Sequence, residues 1–151
     1  MNKIVIALII AIVAAGTAVA SEETEVMAAV NRFVDAFNNG DMKMLTSAGA
    51  DVVFIIDEFS PYAWHGAGAC AKWSSDYDAD AKKNDITDGH VTVSKPSHID
   101  VVGDHAYVVG PANYAYNEKG KSVTEAGSIL TIVLQKNTSG WHIIGWAWAK
   151  H

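Results

Sequence analysis

VMAAVNRFVDAFNNGDMKMLTSAGADVVFIIDEFSPYAWHG, residues 26–66, decides the fold. Val26, Val30, Phe33, Val34 and Phe37 recur at helical spacing as one apolar stripe, while Glu22, Glu23, Asn31 and Arg32 fall off it, so an amphipathic helix is expected. Acidic residues crowd its start, where the helix dipole favours them. Asn38-Asn39-Gly40 ends the helix, and Asp41 is placed to cap a second one, DMKMLTSAG. The nearly all-apolar run from Asp51 to Asp57 is expected as a buried strand, in which alternation puts Asp57 on the face of Val53 and Ile55. Ser60-Pro61 turns the chain, and Tyr62 to His65 returns as a short strand. A carboxylate at the end of a buried strand, ringed by aromatic residues, gives a small cavity one polar working group.

Before this stretch, Lys3, the unbroken apolar run from Ile4 and Ala18-Val19-Ala20 ahead of Ser21 form the pattern of a secretory signal peptide over residues 1–20. The alternative is a retained membrane anchor, because Ile4 to Ala20 lies at the lower edge of what spans a bilayer. Cleavage makes the protein periplasmic or secreted, free of the membrane, and leaves 131 of the 151 residues, 21–151, as a single domain. Loss of Lys3 takes the formal charge from −6 to −7, which repels phosphate backbones and argues against nucleic-acid binding. Cys70 is the only cysteine, so no internal disulfide forms and packing alone must hold the fold. Its apolar setting, AGACAKW, favours a small buried hydrophobe over a reactive thiol.

Downstream, Ala67 to Lys83 is expected as a third helix with Cys70, Trp73 and Tyr77 on one face. From Ile86 the texture turns β-branched and aromatic, and breaks at Val102-Gly103-Asp104, Asn117 to Lys121 and Asn137 to Gly140 divide it into four antiparallel strands. Asn137-Thr138-Ser139 fits a glycosylation sequon, but turn chemistry explains it better. Helices first and strands afterwards give an α+β domain with helices on one face of a curved sheet.

The helix ending NNGD, the apolar strand soon after it, the turn into WHGAGACAKW and the closing GWHIIGW strand occur in an order that resembles the nuclear transport factor 2-like superfamily, also called the SnoaL-like or ketosteroid-isomerase-like fold. The resemblance covers essentially the whole mature chain. It implies a cone-shaped, strongly curved and mostly antiparallel sheet wrapped by three N-terminal helices around a pocket, commonly dimeric through the outer sheet face. Its members are isomerases, dehydratases, cyclases, hydrolases or non-catalytic binders, so fold alone does not assign a reaction.

In that resemblance Asp57 falls where steroid isomerases place their catalytic Asp, and a carboxylate desolvated by apolar neighbours suits a base that moves a proton beside a carbonyl. The alternative is an Asp that ends a strand and bonds the turn beyond it. Steroid-isomerase chemistry also needs a Tyr on the first helix and a protonated Asp on the penultimate strand, and the matching positions are Phe33 and Ile129. An epoxide hydrolase would place an Arg between two acids, whereas Arg32, the only Arg, lies beside the core stripe. Tyr62, Trp64 and His65 are expected at the pocket mouth, His65 as a tentative catalytic acid. Trp73, Tyr114 and Tyr116 are candidate lining residues, with sheet-covering tyrosines as the alternative. The six His residues show no metal-binding spacing, and neither a metal nor a cofactor is expected. Alternation along the last strand puts Gly145, Ala147 and Ala149 on one face and Trp146 and Trp148 on the other with Ile144. The resemblance implies that the first set faces the pocket, which leaves the two Trp on the outer face, where they would form a homodimer interface.

Three functions follow as expectations. The first is a binding domain that holds a small hydrophobic molecule in an aromatic cavity through a single carboxylate. The second is a cofactor-independent isomerase, dehydratase or cyclase with Asp57 as base. The third is a structural or protein-interaction module.

Overall fold

The computed structural model describes residues 22–48, 52 and 54–151. The expected signal peptide and the orientation of Val53 lie outside these residues. Helix α1 spans residues 22–38. Its apolar stripe buries Val26 and Val30 completely and packs Phe33, Val34 and Phe37 against the core. Past Gly40 the chain folds back so that Asp41 N donates to Ala36 O at 2.9 Å, satisfying a carbonyl that the helix end leaves open. Asp41 Oδ1 then accepts from Met44 N at 2.9 Å and caps α2, Met42–Ala48.

A hairpin follows, of β1 (Phe54–Ile56) and β2 (Ala63–His65), and then α3 (Ala69–Asn84). The rest of the chain is β3 (Ile86–Val93), β4 (His98–Val102), β5 (His105–Glu118), β6 (Lys121–Asn137) and β7 (Gly140–Ala149). Five strands therefore replace the four expected after Ile86. Ser94 to Ser97 forms an additional break: Pro96 has no N–H to donate, and β3 and β4 each pair with a different half of β5. The Asn137 sequon lies in the β6–β7 turn, where Asn137 Oδ1 accepts from Ser139 N at 2.7 Å, the turn chemistry expected of it.

The sheet runs β2-β1-β7-β6-β5-β3, with β4 also against β5, and does not close. Among the described residues only the β1–β7 pair is parallel. It is the large, curved, mostly antiparallel sheet of an α+β fold, and the core lies between its inner face and the helices. Asn38 fastens α1 to β3 by using its amide as a strand would: Nδ2 donates to Val91 O at 2.8 Å, and Oδ1 accepts from Val91 N at 2.7 Å.

Two bulges set which side chains face inward. Ala112 pairs with Ser128 and Tyr114 with Glu125, so β6 carries one residue more than β5 across this step. Gly127, at φ 80°, takes the left-handed conformation that the bulge needs, and its N–H donates to Asn113 Oδ1 at 3.0 Å. The inward face of β6 is Leu134, Ile132, Leu130 and Ser128 on one side of the bulge and changes phase to Glu125 on the other. In β7, Val133 pairs with Gly145 but Leu134 with Ile143, which makes Ile144 the extra residue. Trp141 and Ile143 face inward before it, and Trp146 and Trp148 after it.

Candidate functional site

The two phase changes produce a cavity of about 130 Å³ between the helices and the inner sheet face. Helix α1 contributes Phe33 and Phe37, α3 contributes Trp73 and Tyr77, β5 contributes Tyr114 and Tyr116, and β7 contributes Trp146 and Trp148. The rings brace one another. Trp146 lies 4.9 Å from Phe33 and meets Trp73 edge-on at 5.2 Å, while Trp73 and Tyr77 stack at 5.7 Å and Tyr114 and Tyr116 at 4.8 Å. An apolar cavity of roughly 150 Å³ holds benzene, so the space here is about that of a single ring.

Asp57 follows the last residue of β1 and points into the cavity. Trp73 Nε1 donates to its Oδ2 at 2.7 Å and Glu58 N to its Oδ1 at 2.8 Å. Burial raises its pKa from the ordinary carboxylate value, the two donors work against that shift, and the charge of Glu125 adds to it.

Beside it, Glu58 and Glu125 meet across the cavity wall. Glu125 Oε1 accepts from Tyr116 Oη at 3.0 Å and from Lys150 Nζ, which also lies 3.7 Å from Glu58 Oε1. Both Oε2 atoms are buried and, among the described residues, receive no N–H or O–H from any other side chain or the backbone. A proton shared between the two carboxyls resolves this. Burial first, then the hydrogen bond to Glu125 and its charge, push Glu58 up to about 7. Burial acts upward on Glu125 too, but is outweighed by the bonds from Lys150, Glu58 and Tyr116, which hold it below its ordinary value.

Toward β3 the hydroxyls of Tyr77 and Tyr114 bond at 2.6 Å. They approach Gly89 so closely that a Cβ there would lie 2.7 Å from each. Burial raises both phenols above their usual pKa.

Asp57, Trp73, Tyr114 and Tyr116 thus meet in the cavity, and the other expected positions do not. Tyr62 is 60 % exposed on the turn before β2. Trp64 faces the core on the other side of the hairpin, where its Nε1 donates to Asp76 Oδ2 at 2.8 Å. His65 is exposed at the end of β2. The strand's inward position is Trp64, so alternation turns its neighbours away. Trp146 and Trp148 line the cavity, whereas the resemblance implied the set of Gly145, Ala147 and Ala149: the extra residue Ile144 brings the two indoles onto the inward face that Trp141 and Ile143 occupy before it. Ile129, the position that the resemblance matched to the family's acid, is on the outer face, and the inward acid of β6 is Glu125, on the far side of the first bulge. Cys70 is buried as expected, its thiol pushed up to about 11 by burial. Sequence reasoning missed Glu58, Glu125 and Lys150. The isolated Gly127 within a β-patterned stretch was the available signal for the first bulge, whereas Ile144 carries none.

Comparison with solved structures gives the same architecture. A protein from Streptomyces avermitilis proposed as a dehydratase of the NTF2-like family matches at 21% identity and a TM-score of 0.71, over 87% of this chain and 97% of that one. An NTF2-like protein with a cystatin-like fold from Novosphingobium aromaticivorans matches at 14% identity and 0.70, over 91% and 87%. A protein from Shewanella frigidimarina proposed as a ketosteroid isomerase matches at 22% identity and 0.63, over 83% and 94%. These identities carry the fold and no activity. No curated protein matches the sequence. The model of the SnoaL-like domain matches residues 26–147, so the chain belongs to the SnoaL-like family.

Proposed function

We propose that this protein is an exported binding domain for a small, ring-sized molecule held between aromatic walls with its polar group at the acidic end of the cavity. The observation that carries this reading is the cavity of about 130 Å³, walled by rings and ended by Asp57, Glu58 and Glu125. The single carboxylate of the sequence expectation becomes a group of carboxyls. Export rests on the signal-peptide pattern of residues 1–20. The test is ligand-observed NMR against a panel of one-ring compounds, with Ala81→Leu as control because Ala81 lines the cavity and a larger side chain would fill it. At least one class of compound should bind the natural protein and fail to bind the variant. No binding by any, or equal binding to both, contradicts the reading.

Proton transfer is the second reading, favoured by one observation: Asp57 and a Glu58 pushed up to about 7 are adjacent at one end of the cavity. Asp57 would take the proton and the Glu58–Glu125 pair would supply one, the role that His65 is placed too far out to fill. Loss of ketone α-proton exchange in Asp57→Asn supports it, and an unchanged rate removes it.

A homodimer belongs to the same proposal. Phe54, Gly145, Val133 and Tyr107 form one rung across β1, β7, β6 and β5, and Ile56, Ala147, Thr131 and Val109 the next. With Phe54 48 %, Ile56 42 % and Tyr107 43 % exposed, the outer sheet face is an apolar surface that a second copy would cover.

A further inference from the structure

We propose that the molecule held in the cavity is a small organic cation, a ring-sized protonated amine whose N–H groups donate to the Oε2 atoms of Glu58 and Glu125. This rests on the reading of the cavity as a binding site and adds the class of ligand. The lining includes four carboxyl groups, those of Asp57, Glu58, Asp80 and Glu125, and no Lys, Arg or His. An anionic ligand would meet only repulsion there. A neutral one would leave the acids without a counter-charge inside the cavity. The Glu125 side chain is only 8 % exposed, and apart from the proton that the two acids share, neither its Oε2 nor that of Glu58 receives an N–H or O–H among the described residues. Lys150 does not fill this role: it reaches the Oε1 side of both acids from a position 53 % exposed.

The walls suit the same ligand, because the faces of Trp and Tyr rings attract a cation, more strongly where water is excluded. No three His, Cys, Asp or Glu side chains among the described residues converge closely enough to hold a metal ion, so the matching cation is organic. Binding has a proton balance. The empty acid pair holds one shared proton, and an ammonium that donates to both Oε2 atoms takes its place, so the proton leaves to solvent. The groups facing the pair are Asp57 after β1, Tyr114 and Tyr116 on β5 and Lys150 after β7. Of these, Lys150 stays charged and the tyrosines neutral near neutral pH, so the proton released comes from the carboxyls, the Glu58–Glu125 pair together with the raised Asp57.

The test is isothermal titration of the natural protein with benzylammonium, benzyl alcohol and benzoate, three probes of one size that differ in charge. Benzylammonium should bind about tenfold or more tightly than the alcohol, a difference of about 1.4 kcal/mol, and benzoate should not bind. Affinity for the ammonium should rise several-fold between about pH 6 and pH 8 with release of protons to buffer, while affinity for the alcohol stays level. Glu125→Gln should lose the preference for the ammonium, and the natural-protein comparison stands even if that variant does not fold. Alcohol or benzoate binding as tightly as the ammonium overturns the cation alone. Failure of all three probes overturns the binding site as well.

Discussion

Glu58 and Glu125 are 67 positions apart in the chain, and their meeting in a low-dielectric wall makes one of them hold a proton near neutral pH. The folded protein therefore binds more protons than the unfolded chain between the ordinary glutamate pKa of about 4.5 and about 7. Stability from this group is fully present below that window and declines as pH rises through it. The raised Asp57 acts in the same direction, and the depressed Glu125 acts only below the window. Melting temperature followed across this range should fall with pH in the natural protein and fall much less in Glu58→Gln; equal slopes would contradict the shared proton. Trp73→Phe removes the N–H given to Asp57 Oδ2 and should cost about 1–3 kcal/mol in chemical denaturation, as expected for a buried acceptor left short of a donor. A loss below about 0.5 kcal/mol would mean that the bond carries little.

At the scale of elements, the bulges explain both what the sequence revealed and what it hid. Helix α1 was legible from its stripe, the NNGD turn from its capping residues and Asp57 from the strand it ends, because each depends on neighbours in sequence. The facing of β6 and β7 was not, because a period-two count fails as soon as one residue is inserted, and the insertion is fixed by pairing with another strand. The resemblance, which carries no bulge positions for this chain, therefore implies the outer face for Trp146 and Trp148 and points to Ile129, whereas the structure turns both Trp and Glu125 inward. Deleting Ala126 removes the extra residue of the β6 bulge and brings Glu125 into plain alternation with Ser128, so the acid should still face inward opposite Tyr114 and the pH-dependent stability described above should persist while far-UV circular dichroism stays native. Loss of the pH dependence would contradict this reading of the β6 register. Asn38→Ala deprives β3 of both bonds to Val91 and should destabilise by about 1–3 kcal/mol, with hydrogen exchange of the Val91 amide accelerating at least as much as that of the β6 amides.

For the whole molecule, one sheet serves two surfaces: its inner face closes a cavity over α1 and α3, and its outer face carries apolar rungs from Phe54 to Tyr107. The dimer proposed for the outer face should separate in Ile129→Lys, which sets a charge among those rungs, and light scattering should then report a monomer with an unchanged melting profile; a natural protein that is already monomeric at micromolar concentration contradicts it. The inner face is tested most directly by its tryptophans. Among the five Trp residues, Trp73, Trp146 and Trp148 line the cavity, whereas Trp64 and Trp141 are buried elsewhere in the core. Indole N–H resonances, assigned by single Trp→Phe variants, should be followed while benzylammonium or benzyl alcohol is added. The signals of Trp73, Trp146 and Trp148 should shift with saturation and those of Trp64 and Trp141 should stay in place, whereas stationary Trp146 and Trp148 signals, or shifts centred on Trp64, would contradict the cavity as described.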